Sequence, residues 1–111
     1  MQYRIAVGSR DGKAVTEHFG GCEQFLIIDT NSEKGVWSFN GFRTVTPACV
    51  SGDHTDSSLD AMAEALSDCQ LVLVSKIGPP AELALKRHGV DVSEYHGLIE
   101  DAMKHILQYY R

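Results

Sequence analysis

Leu71-Val72-Leu73-Val74 constrains the fold of this 111-residue chain more than any other stretch. A short unbroken apolar run is expected of a strand covered on both faces, as in parallel sheets flanked by helices. Before it, Leu59, Met62, Ala63 and Leu66 recur at helical spacing and form one apolar stripe. Asp56 or Ser57 can cap that helix, and Asp60 adds a favourable charge to its first turn. After it, Ile77-Gly78-Pro79-Pro80 ends the strand and opens another helix, because proline is tolerated in a first turn whose amides lack partners.

The remaining segments supply the rest of a sheet. Tyr3 to Val7 reads as a first strand and Glu23 to Asp29 as a second. Val36-Trp37-Ser38-Phe39 starts a third, joined to the second by a turn at Asn31-Ser32-Glu33-Lys34-Gly35, so the two form an antiparallel hairpin. Arg43 to Thr55 reads as irregular. Gly89 ends the second helix, Val90-Asp91-Val92 is a minimal strand, and a last helix runs from about Tyr95 to Tyr109 with Leu98, Ala102, Ile106 and Tyr109 on one face. Right-handed crossovers place the fourth and fifth strands parallel to the first. The prediction is one α/β domain over residues 1–111. Its five-stranded mixed sheet has order 3-2-1-4-5 with only the second strand antiparallel, and three helices complete a ribonuclease H-like arrangement. The expected core contains Ile5, Val7, Leu26, Ile28, Leu59, Leu66, Leu71, Leu73 and Ile106.

Composition narrows the function. Hydrophobic residues make up 43% and charged residues 23%, as in globular chains. A net charge of −5 argues against nucleic acid, which calls for a basic face. No apolar run approaches the ~20 residues needed to cross a membrane, and no secretory signal pattern precedes the first strand. Cys22, Cys49 and Cys69 are odd in number and far apart. They argue for a reducing cytoplasm and against a disulfide framework, and the lack of a C-x-x-C pair argues against a closed zinc site.

Glu17-His18-Phe19-Gly20-Gly21-Cys22 concentrates an imidazole, a ring, two glycines and a thiol in one connection between strands. His18 and Cys22 are a borderline and a soft metal ligand, and Cys49 in the middle loop is a third candidate. The strand order sets this loop beside Ser75-Lys76-Ile77-Gly78-Pro79, beyond the carboxyl ends of two neighbouring parallel strands, where ligands of open α/β sheets sit. Lys76, Arg10 and a helix N-terminus there favour an anion. Cys69 reads as a core thiol, His54 as a loop residue, and His88, His96 and His105 as surface residues.

Ile5-Ala6-Val7, Glu17-His18-Phe19-Gly20 and Phe25-Leu26-Ile27-Ile28-Asp29 resemble the opening of the dinitrogenase iron–molybdenum cofactor family, which includes NifX, NifY-type proteins and the C-terminal domain of NifB. Ala65 to Cys69, Leu71 to Leu73, Ser75 to Pro79 and His88-Gly89-Val90 resemble its later block. The resemblance implies a small carrier of an iron–sulfur-containing metallocluster, the nitrogenase iron–molybdenum cofactor or a precursor, bound labilely and passed between donor and acceptor proteins. The cofactor-binding histidine of the family's His-Phe-Gly motif carries over to His18, and Cys49 is placed like a cysteine of its NifB-like branch, whereas Gly21-Cys22 departs from the family pattern. With the loop residues read above, the expected cofactor contacts are His18, Phe19, Gly20, Cys22, Cys49, Arg10 and Lys76, with His18, Cys49 and Cys22 as metal ligands. The resemblance also implies no catalysis by the chain alone, in a monomer or weak dimer. The family has members outside nitrogen fixation, so a different cluster or a regulatory interaction module is the alternative. A hydrolase built on His18 with Cys22 or Cys49 is the remaining reading, but no orienting third group or oxyanion hole accompanies the pair.

Overall fold

The computed structural model describes residues 2–31, 33–46 and 56–109. Its strands are β1 (Gln2–Gly8), β2 (Ala14–Val15), β3 (Gln24–Asn31), β4 (Val36–Thr44), β5 (Leu71–Val74), β6 (Asp91–Glu94) and β7 (Gly97–Leu98). Its helices are α1 (Asp56–Ala65), α2 (Pro79–Arg87) and α3 (Ile99–Tyr109). Five strands form one sheet in the order β4-β3-β1-β5-β6. β3 runs antiparallel to β1 and to β4, while β5 runs parallel to β1 and to β6. That is the order predicted from the crossovers.

Alternation along the strands divides the core into two layers. Ala6, Phe25, Ile27, Val72 and Val74 face α1 and α2, meeting Leu59, Met62, Leu66 and Leu85. Ile5, Val7, Leu26, Ile28, Leu71 and Leu73 face the other way, onto Ile99, Ala102, Met103 and Ile106. Every residue of β5 is buried, as its unbroken apolar run requires. All nine predicted core residues are buried.

Three boundaries differ from the sequence reading. The third predicted strand, β4, runs on to Thr44, so Arg43 and Thr44, read as irregular, belong to it; a bulge at Asn40-Gly41 keeps the strand paired. Leu26 opposes Phe42 and Ile28 opposes Phe39, so β4 carries one extra residue, and Gly41 takes φ +77°. The polar turn Ser9 to Thr16 contains β2, which pairs with β7 in a separate small sheet. The last helix starts at Ile99, not Tyr95, because the Tyr95 amide donates to Val74 O (2.9 Å) and the Ile99 amide to Lys13 O (2.8 Å), which keeps the chain extended between them. Leu98, expected on the apolar face of that helix, therefore precedes it and is 53% exposed. Residues 47–55, which carry Cys49 and His54, lie outside the described residues.

Where β1 begins, charged groups tie the sheet together. Arg4 Nε lies 2.7 Å from Asp29 Oδ1, and Arg4 also reaches Asp68 Oδ2 at 2.8 Å. Arg43 donates twice to Asp68, at 2.6 and 2.9 Å. The Arg43 bonds, helped by Arg4, hold the Asp68 carboxyl well below the usual carboxylate range, and Arg4 does the same to Asp29. No described helix is long and apolar enough to cross a membrane.

Candidate functional site

β1 ends at Gly8 and β5 at Val74, side by side and parallel, and the chain continues past both into loops that stay zipped together. Gly8 O accepts from the Thr16 and Glu17 amides at 3.0 and 3.1 Å. The Ser75 amide donates to Glu17 O (3.0 Å) and the Phe19 amide to Lys76 O (2.9 Å). His18 and Lys76 thereby form a parallel bridge beyond the sheet proper. Gly8 is required for this close approach, since a Cβ there would meet Val74 Cγ1 at 3.0 Å and Glu17 Cβ at 3.3 Å.

The hexapeptide splits into buried and presented halves. Phe19 is fully buried and packs on Phe25, with ring centroids 5.9 Å apart. It opens a single 3-10 turn, Phe19–Gly21, closed by the Cys22 amide donating to Phe19 O at 3.2 Å. Cys22 is also fully buried, its Sγ 3.0 Å from Gln24 O, and burial pushes its thiol up to about 11. With both anchors turned inward, His18 and Gly21 are turned out. His18 occupies the capping position of the turn but its side chain makes no capping hydrogen bond. A Cβ on Gly21 would meet nothing within 4 Å.

His18, Gly20, Gly21, Lys76, Ile77 and Gly78 line a depression of about 300 Å³ with Phe19. Four predicted site residues therefore meet there: His18, Phe19, Gly20 and Lys76. Phe19 serves as the anchor under the loop, because its ring is wholly inside. Arg10 is set apart, in a second depression with Ser9, Glu17, Gly21, Glu23 and Gln24, where it pairs with Glu17 at 3.5 Å. Cys22 lies beneath the rim as a protonated, enclosed thiol, and Cys49 lies outside the described residues.

The wall expected to favour an anion is thinner than the sequence suggests. Gly78 caps α2 without a side chain, and Pro79 and Pro80 bring no amide to the first turn. The Ile77 amide is occupied by Glu94 Oε2 at 2.9 Å. Sequence reasoning missed Glu94, although its place at the end of the last sheet strand sets it beside this loop. Lys76 is exposed and has no ion pair among the described residues. No group of three or more His, Cys, Asp or Glu side chains that could hold a metal ion occurs among the described residues. Among the described residues the rim thus offers one imidazole, one ammonium and glycine-lined space.

Two other predicted residues have structural partners. Cys69 is buried, and burial beside Asp68 pushes its thiol up to about 12. His88 is not a free surface residue, since its Nε2 lies 2.9 Å from Asp60 Oδ1 and joins the end of α2 to α1.

A ribonuclease H-like mixed sheet, with a glycine-rich rim beyond its central parallel pair, defines the class. Within that class, the sequence profile of the dinitrogenase iron-molybdenum cofactor family matches residues 1–109, and the chain belongs to that family. It is 33% identical over 99 residues to the FeMo cofactor biosynthesis protein NifB of Chlorobaculum tepidum, covering 89% of this chain and 22% of that one. The chain spans about a fifth of the length of the NifB relatives it matches. The fold is shared with PH0822 (TM-score 0.67, 20% identity, 96% of this chain and 91% of that). It is also shared with the apo form of the orange protein of Desulfovibrio gigas (TM-score 0.64, 18% identity, 96% and 88%).

Proposed function

We propose that this chain is a non-catalytic carrier in iron–molybdenum cofactor biosynthesis. It takes up a preformed, anionic, iron–sulfur-containing cluster at the His18–Lys76 rim and passes it from a donor to an acceptor protein. The observation that carries this reading is His18 itself. Its backbone is fixed by the bridge to Lys76 while its imidazole is exposed and uncapped. A histidine held that way supplies one ligand or hydrogen bond to a cargo whose other sites remain open for exchange. Lys76 balances negative charge, and Gly20 and Gly21 admit bulk close to the backbone. Family membership and the kinship with NifB support the cluster as the cargo.

Anaerobic titration with candidate clusters, read by metal analysis and spectroscopy, tests the proposal. Wild type should bind stoichiometrically, and His18→Ala should weaken binding by about tenfold or more. Lys76→Ala should weaken it less, with a reduced dependence on salt. Unchanged binding in His18→Ala would remove His18 as the anchor. Hydrolytic turnover by pure protein, abolished by His18→Ala, would instead favour an enzyme.

A further inference from the structure

Among the described residues, the large apolar side chains left about half exposed or more are Val36, Phe39, Phe42, Leu83 and Leu98. Three of these cluster. Phe39 and Leu98 line one groove of about 390 Å³ with Gly12, Trp37 and Ile99. The Phe42 ring lies 3.4 Å from where a Cβ on Gly12 would stand. The cause is an imbalance of cover. α3 and the β2–β7 pair shield the middle of their face of the sheet, while β4 at its edge carries Phe39 and Phe42 beyond their reach. Contiguous exposed apolar surface of this kind marks an interaction site.

We propose that this face binds a second copy of the chain about a two-fold axis, each Phe39–Phe42 ridge resting in the other's groove. An isologous contact needs knob and hole on one surface, and this face has both. Half-exposed rings offer roughly 100 Å² each. Two copies of Phe39, Phe42 and Leu98 therefore withdraw on the order of 600 Å², about half the roughly 1,200 Å² at which stable specific interfaces begin, and within the range of weak, transient contacts. That size fits a weak, reversible dimer. Charge permits it as well. Val36 to Phe42 contains no ionisable side chain, and the groove walls carry one charge of each sign, Lys13 and Glu100. Two chains of net charge −5 can meet there without excess repulsion. The Gly41 bulge limits strand-to-strand pairing to Val36–Asn40, which keeps the contact from propagating.

Sedimentation velocity on the cluster-free protein from about 10 µM to about 1 mM tests this. The wild type should shift from monomer to dimer within that range. Phe39→Asp should raise the midpoint concentration about tenfold or more, with an unchanged melting temperature. Leu98→Glu serves the same purpose if Phe39→Asp disturbs folding. Leu83→Asp, on α2 across the sheet, should leave the midpoint where it is. A wild type that stays monomeric throughout, or charged variants that dimerise as it does, would overturn the proposal.

Discussion

Where β1 begins, Arg4, Asp29, Asp68 and Arg43 engage one another. Where β1 and β5 finish, His18 and Lys76 are held through their backbones, with no side-chain hydrogen bond or ion pair of either among the described residues. The first arrangement spends its charges internally. A cavity of about 490 Å³ opens beside Arg4, Asp29 and Asp68, yet each of these groups is already committed to a partner. The second arrangement has the backbone order of a sheet and the side-chain freedom of a surface. The ion pairs thus sit at one end of these strands and, under the proposed function, the binding capacity sits at the other.

The comparison can be broken most forcefully at Phe19. Phe19→Ala removes a fully buried ring and should cost about 3–5 kcal/mol in denaturant unfolding. It should abolish the rim along with its anchor. Gly8→Ala should cost about 1–3 kcal/mol through its contact with Val74, and chemical-shift changes should concentrate at residues 16–19 and 74–76.

At the other end, Asp68 and Asp29 have pKa values below those of the unfolded chain. Their stabilising contribution is present above the unfolded value of about 4 and is lost as the pH falls toward the depressed folded values. Asp68→Asn should flatten that acid limb. Because the carboxylate is 44% exposed, it should cost only about 1 kcal/mol at neutral pH. Cluster binding should be unaffected. The smallest effect on folding belongs to His18→Ala, which should stay within about 0.5 kcal/mol of wild type. A larger loss would mean that the imbalance between the two ends is overstated.

How far these features could be read from sequence depends on the range of the interactions behind them. The central sheet was readable because β1, β3 and β5 are apolar runs between strong breakers, and crossover handedness then orders them. The β2–β7 pair was not, since two-residue strands exist only through a partner more than eighty positions away. The start of α3 was misplaced for the same reason, though Gly97, with φ +145°, was a local warning. Arg43 and Thr44 read as irregular and join β4 only because the bulge at Asn40-Gly41 keeps the strand paired with β3. In the rim, the meeting of His18 with Lys76 followed from strand order. The inward turn of Phe19 and Cys22 did not, because a phenylalanine and a cysteine beside glycines are equally compatible with a wall or a floor.

The bridge between His18 and Lys76 joins segments more than half the chain apart. During synthesis the first of them emerges long before the second, and until β5 has docked against β1 there is no rim to occupy. Under the proposed function, a nascent or nicked chain is therefore mute toward its cargo. By mass action a loaded carrier also resists global unfolding in proportion to the logarithm of cluster concentration. Proteolysis would then fall first on empty copies, so the supply of cluster would itself set how long each carrier survives.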